Sequence, residues 1–314
     1  MNCLVTGGAG FIGSHIVQEL LKSGHTVRVL DNLLSGSKDN LREAKVWNDI
    51  EFVEGDIRSP FICLDAVKGI DVVLHQAALN RAMRSIEDPL SFNEVNIGGT
   101  LNLLKAVQRS GVAKFIFASS SSVYGDNVPL PTPERVKLSP ASPYGVTKMV
   151  GEEYCHIFSE IYGFQTLCLR YFSVYGPRQP INSEYSAVIS KILRAITEDK
   201  KFFIYGDGDQ SRAFTFVEDI AKVNALAVRH EQHTKHKIVN VASPTSCTIN
   251  DLVSLIDDLM HTSIHAIHMD PRPGEFRNSS ADVHELAGLT NGMQLTTLKE
   301  GLERMIAWWM KDRV

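Results

Sequence analysis

The sequence predicts an α/β protein: a doubly wound parallel sheet followed by a smaller C-terminal α/β domain. Three observations predict it. Six short apolar runs, "NCLVTG", "TVRVLD", "EFVEGD", "IDVVLHQ", "AKFIFASS" and "FQTLCLRYF", alternate with longer helical patterns up to residue 172. The runs are nearly continuous in apolar residues, as strands covered on both faces are. After residue 173 the rhythm changes, at the Pro-, Asn- and Ser-rich stretch "SVYGPRQPINSEYS".

The elements follow in order. Helices are expected over "FIGSHIVQELLKSG", near 59–68, near 88–110 and from about 143 to 163. Beyond the change of rhythm, helices near 184–199, 218–230, 248–261 and 297–312 accompany strands at "KFFIYG", "AFTFV" and "HKIVNVA". The chain is therefore expected to divide into residues 1–173 and 174–314, with the segment near 236–262 packing back on the first part. "MIAWWMKD" reads as an amphipathic helix that packs Trp308 or Trp309 on the core.

Composition excludes several classes. The 314 residues are 44% hydrophobic and 22% charged, with a net charge of −4 and no basic block. Nothing there attracts nucleic acid or an anionic membrane surface. No apolar run approaches the ~20 residues of a membrane span. The N-terminus enters a strand at once, without a signal-peptide layout, so a cytoplasmic location is expected. The five cysteines are odd in number and widely spaced, which suits reduced thiols better than disulfides. No metal site is expected: "SIHAIHM" reads as a strand that points His265 and His268 to opposite faces.

"CLVTGGAGFIGSHIVQELL" reads strand, glycine turn, helix. Glycines at 7, 8, 10 and 13 allow close backbone approach to a pyrophosphate, and the helix start near Phe11 offers free N–H groups. An acid, Asp31, ends the second strand eighteen residues past Gly13. This is the dinucleotide fingerprint of the Rossmann fold. A carboxylate at Asp31 accepts from a ribose diol and repels a 2′-phosphate, so NAD is expected rather than NADP. Asp56 is placed for the adenine end, or else caps the next helix.

"FIFASSSSVYG" brings Ser119 to Ser122 to a strand's carboxyl end, where ligands bind in such sheets. In "SPYGVTK", Ser142 is a good N-cap and Pro143 a good first helical residue. Tyr144 and Lys148 then share a helix face. An ammonium and the positive nicotinamide ring would both stabilise the tyrosine's phenolate, a usable base near neutrality.

These residues resemble the extended short-chain dehydrogenase/reductase superfamily, and within it the UDP-sugar 4-epimerases. "TGGAGFIGSH", "LDNLLSG", "GDI", "HQAA", "NIGGT", "SSSSVYG", "SPYGVTK", "LRYFSVYGPRQ", "GDGDQSRAFTFVEDI" and "PRPGEFRNSSAD" stand in the family's order across nearly the whole chain.

The resemblance implies roles. Tyr144 is the base, Lys148 orients the nicotinamide ribose and lowers the tyrosine pKa, and Ser120 bonds the reacting sugar hydroxyl, supported by Ser121 and Ser122. Gly7, Gly10, Phe11 and Ile12 cradle the pyrophosphate. Asp31 and Asn32 hold the adenosine ribose, Asp56 and Ile57 the adenine, and Ser35 and Gly36 also bind the cofactor. Gln76, Ala77, Ala78, Asn96 and Tyr171 line the cofactor.

For the substrate, Arg212 and Arg272 meet the diphosphate, Glu275 the uridine ribose, and Phe203 packs on the base beside Tyr205. Ser173 and Ser279 border the sugar, and Ala187 and Val188 also bind the substrate. The implied reaction oxidises C4, rotates the 4-keto sugar and returns the hydride to its other face. Ser121 and Ser122 replace the acids that sugar dehydratases and decarboxylases place there. Ser279 stands where a bulky aromatic restricts relatives to small hexoses. That implies UDP-N-acetylglucosamine/UDP-N-acetylgalactosamine, along with UDP-glucose/UDP-galactose. UDP-glucuronate is the rival substrate, and a non-catalytic NAD sensor the rival class. The family's four-helix bundle implies a homodimer through the helices near 88–110 and 143–163.

Overall fold

A computed structural model describes residues 1–126, 128–180, 187–270 and 277–311. Its centre is a seven-stranded sheet, every neighbour parallel. The strands are β1 (Asn2–Thr6), β2 (Thr26–Asp31), β3 (Ile50–Glu54), β4 (Val72–His75), β5 (Lys114–Ser120), β6 (Gln165–Tyr171) and β7 (His236–Val241). Their order across the sheet is β3-β2-β1-β4-β5-β6-β7. The direction of winding reverses between β1 and β4, and that reversal opens a crevice at the strands' carboxyl ends.

Alternation along each strand feeds two cores. Cys3 and Val5 of β1 join Ile116 and Ala118 of β5 on one face. Leu4, Phe115 and Phe117 point to the other. Helix α1 (Phe11–Lys22) covers the first face through Ile16, Val17 and Leu20. The second face is covered by α2 (Thr100–Ser110) and α3 (Pro143–Tyr162). The chain returns to this sheet late. Helix α4 (Val217–Arg229) packs beside α1, and β7 extends the sheet past β6.

A third core gathers the helices Val188–Thr197, Ile249–Met260 and Leu298–Lys311 with the parallel strand pair Phe202–Tyr205 and Ala266–Met269. Trp309 is buried in it, as the helical pattern suggested, while Trp308 donates to Glu43 at 2.5 Å.

Two elements differ from expectation. The helix near 88–110 is not uniform. Pro89–Phe92 is α, Asn93–Gly99 widens into a π-helix, and Thr100–Ser110 resumes α. At the widened turn Gly99 lies against Ile57, where a Cβ would come within 2.5 Å of that side chain. The strand expected at "AFTFV" shortens to Thr215–Phe216, because Val217 already begins α4.

Among the described residues no helix is long and apolar enough to cross a membrane. None of their His, Cys, Asp and Glu groups could hold a metal ion. All five cysteines are free, four of them buried.

Candidate active site

A cavity of about 700 Å³ lies in the crevice between β1 and β4. Its floor is the glycine turn. Gly7 has φ +68°, and a Cβ there would meet the Ala77 nitrogen at 2.8 Å. A Cβ at Gly13 would strike the Gly7 carbonyl oxygen, and one at Gly36 would strike Ala9. Only bare backbone lets these three segments meet. Helix α1 starts at this floor, and among the described residues no side chain caps it. Its first N–H groups are left for an anion.

Asp31 is held rigidly beside the turn. Its carboxylate accepts from the Ala9 N–H at 2.9 Å and the Leu33 N–H at 2.8 Å. Burial raises its pKa, and these two hydrogen bonds oppose the rise. Asn32 donates to Asp56 at 2.8 Å. The Arg58 guanidinium holds Asp56 down at about 2. Asp56 is not a helix cap: Ser59 accepts from the Ile62 N–H and starts the next helix.

The cavity brings together Gly7, Gly10, Phe11, Ile12, Asp31, Asn32 and Ser35 at one end. Asp56, Ile57, Gln76, Ala77, Ala78, Tyr144, Lys148 and Tyr171 complete it. The buried Gln76 Nε2 lacks a hydrogen-bond partner among the described residues and sits in this wall. A bare-backbone cradle, an uncapped helix start, a diol-accepting carboxylate and an orphaned amide together fit NAD.

Two expected residues stand behind the wall. Gly36 backs the glycine turn. Asn96 is buried, bonds both backbone groups of Leu79 at 2.8 and 2.9 Å, and reaches Thr147 at 3.0 Å. It ties the segment after β4 to α3 rather than lining the space.

Helix α3 brings the tyrosine and the lysine to the cavity. Ser142 caps it, accepting from the Gly145 N–H at 3.2 Å, and Pro143 is its first residue. Tyr144 and Lys148 face the cavity one turn apart. Ser120, at the end of β5, is hydrogen-bonded to Tyr144. Its hydroxyl also donates to Ser122 at 3.1 Å, while Ser121 and Ser122 turn away into a short 3₁₀ segment. Phe92 packs edge-on against the tyrosine ring at 6.3 Å.

Burial raises the Tyr144 pKa; the Ser120 hydrogen bond and the charge of Arg81 oppose the rise. Lys148 is anchored on β5. Its Nζ donates to the Ala118 carbonyl at 2.7 Å and lies 6.0 Å from the Tyr144 ring centroid. Burial brings its own pKa down to about 8. Among the described residues, Arg81 is a cation whose charge favours the phenolate.

A second cavity of about 350 Å³ opens beside the first, lined by Ser173, Ala187, Val188, Phe203, Tyr205 and Arg212. Ser279 does not line it but pairs in register with Arg212. Arg272 and Glu275 lie outside the described residues. Arg81 lines both cavities.

The comparisons agree with this geometry. Residues 3–242 match the model of the NAD dependent epimerase/dehydratase family. The chain belongs to that family. This epimerase/dehydratase family member is NAD-dependent, and it has solved relatives of nearly identical shape. A UDP-N-acetylglucosamine 4-epimerase of Methanobrevibacter ruminantium M1, solved with UDP-N-acetylmuramic acid, is 37% identical with a TM-score of 0.93. The match covers 99% of this chain and 98% of that one. The UDP-glucose 4-epimerase of Thermotoga maritima is 33% identical over 100% of both chains, with a TM-score of 0.93. The UDP-glucuronic acid 4-epimerase of Bacillus cereus, solved with its sugar nucleotide and NAD, is 31% identical over 100% of both, with a TM-score of 0.92.

Sequence reasoning missed Arg81, Arg178 and Trp308 in the cavity walls. Arg178 and Trp308 carried no usable signal. Arg81 did: a cation six residues past the end of β4 falls at the winding reversal, where ligands bind.

Proposed function

We propose that this enzyme is a UDP-sugar 4-epimerase. Its substrates are UDP-N-acetylglucosamine and UDP-N-acetylgalactosamine, together with UDP-glucose and UDP-galactose. The observation that carries the reading is Tyr144, hydrogen-bonded to Ser120 and lining the first cavity, which Arg81 joins to the second. Tyr144 takes the proton of the C4 hydroxyl, and the Ser120 hydroxyl holds the oxygens in line. Bound NAD would supply the acceptor and donor for the C4 hydride. Lys148, anchored on the Ala118 carbonyl, holds the nicotinamide ribose. Arg212 meets the diphosphate, and Phe203 packs on the uracil.

Elimination or decarboxylation needs a further acid or base near the sugar. Among the described residues the second cavity is lined by no acid, and Ser121 and Ser122 follow Ser120 where one would stand. The acids of the first cavity, Asp31 and Asp56, sit at the adenosine end. A reversible oxidation is what these groups can do.

The test is direct. The protein is incubated separately with UDP-glucose, UDP-N-acetylglucosamine and UDP-glucuronate, and the C4 epimers are resolved. Conversion of the first two is expected; conversion of none sinks the reading. Ser279→Tyr is expected to lose the N-acetyl substrates selectively, and equal retention of both activities refutes the gate.

The homodimer belongs to the same reading. Helix α3 leaves Val146, Ile157 and Ile161 exposed, a stripe that a second copy would cover. The solution mass decides it.

A further inference from the structure

Arg81 is not explained by anything the fold requires. It follows β4 by six residues, in the segment that Asn96 clamps through Leu79. Its backbone is left-handed, with φ 89° and ψ 114°, an unfavourable conformation for a bulky side chain. Strain of this kind persists where the surroundings impose it, often at ligand sites. Ser173, across the second cavity, is left-handed as well, at φ 34°.

The guanidinium is buried enough that desolvation lowers its pKa. Among the described residues it donates no hydrogen bond and meets no carboxylate. A desolvated cation without a counter-charge is costly, so the site is built for something that brings one.

The second cavity shows what that is. Arg81, Lys191 and Arg212 line it, and among the described residues no acid does. A UDP-sugar brings a diphosphate, which Arg212 is placed to meet under the reading above. Arg81 lies instead at the boundary with the cofactor cavity, and its charge is felt at Tyr144, the group that must touch C4. It is therefore at the sugar end, out of the diphosphate's place.

The geometry points to Arg81 as a specificity-determining residue that pairs with a carboxylate carried by the sugar of the UDP-sugar substrate. This deepens the 4-epimerase reading and rests on it. Two substituents supply the chemistry: a C6 carboxylate, as in a uronate, or a carboxylate on an ether arm, as in N-acetylmuramic acid. An N-acetylhexosamine bearing such an arm joins the N-acetyl substrates of the reading above to the charge at Arg81.

The experiment compares kcat/KM for UDP-glucuronate with that for UDP-glucose, and for UDP-N-acetylmuramic acid with that for UDP-N-acetylglucosamine. It uses the NAD-loaded wild type, Arg81→Met, Arg81→Lys and Arg81→Gly. The last removes the charge while keeping a residue at ease with positive φ. Arg81→Met and Arg81→Gly should each lower the acidic-to-neutral ratio at least about tenfold for the sugar the site takes, and Arg81→Lys should restore part of it. The pair whose ratio falls identifies where the carboxylate sits. Any effect passed through Tyr144 applies to both sugars of a pair and cancels.

An unchanged ratio in both pairs overturns the inference, whatever happens to overall rate. So does an equal shift of the pH profile with acidic and neutral sugars and no loss of discrimination. Failure of every sugar in the wild type instead condemns the epimerase reading, and the two failures are distinguishable.

Discussion

Under the proposed mechanism Tyr144 is the residue on which the chemistry turns, and its surroundings work against each other. Burial favours the neutral phenol, while Ser120 and Arg81 favour phenolate. A base must be deprotonated to act, so rate rises with pH through the tyrosine's titration. Ser120→Ala removes one stabiliser of the phenolate. The ascending limb of kcat against pH should move to higher pH, and the rate at neutrality should fall by about 10²–10⁴. Tyr144→Phe should lose turnover with every sugar while a UDP-sugar still binds. An unmoved limb in Ser120→Ala would mean that the serine acts on the substrate alone. The pair was readable from sequence because a capped helix start fixes the tyrosine's face. Arg81's place after β4 was readable too, but its left-handed backbone was not, since tertiary clamps such as that of Asn96 on Leu79 leave no local pattern.

At the scale of elements, α3 aims those residues, and small side chains let it come close enough. A Cβ at Gly145 would meet the Ser122 carbonyl oxygen and crowd Pro140; one at Gly151 would enter the Phe117 ring. The helix therefore sits tightly on the end of β5. Gly145→Val should push its first turn from the serine turn, cutting kcat about 10²-fold with a smaller effect on KM, as misplaced catalytic groups do. Circular dichroism and the melting temperature of that variant report whether the helix survives. Normal kcat in a folded variant would show that the close approach is dispensable. The same helix carries Glu152, which grips Arg170 of β6 through two hydrogen bonds of 2.6 and 2.8 Å and accepts from Ser119 of β5 at 2.5 Å. Strands, α1 and the cap of α3 were legible because burial on a period of two or 3.6 is written locally. The buried Glu152–Arg170 pair and the π-helix at Asn93–Gly99 were not, for they depend on partners far along the chain.

Across the whole molecule, three histidines are kept neutral by burial, at points spread over the sheet. His15 of α1 and His75 of β4 are each pushed down to about 3, and His236 of β7 to about 4. His15 also feels the Arg178 guanidinium. His75 sits between the hydroxyls of Thr6 and Thr100, at 2.7 and 2.9 Å, with Phe115 and Phe117 against its ring. In the unfolded chain all three titrate near 6.5. Between about pH 6.5 and pH 4 the unfolded chain takes up protons that the folded one refuses, so stability falls as pH falls. Each such proton costs about 1.4 kcal/mol per pH unit, and several kcal/mol should be gone by about pH 4.5. Asp56, held down at about 2, adds to the loss at still lower pH. Urea midpoints at pH 7, 5.5 and 4.5 measure this, and a flat profile would refute it. His15 and His75 stand on the two elements that flank the cofactor crevice, α1 and β4. Protonation there strains the glycine turn and the Gln76–Ala78 wall before it reaches the third core around Trp309. Retention of NAD through gel filtration should therefore fail at a higher pH than the one at which far-ultraviolet dichroism is lost. Coincident loss of the two signals would show instead that the crevice has no separate response to acid.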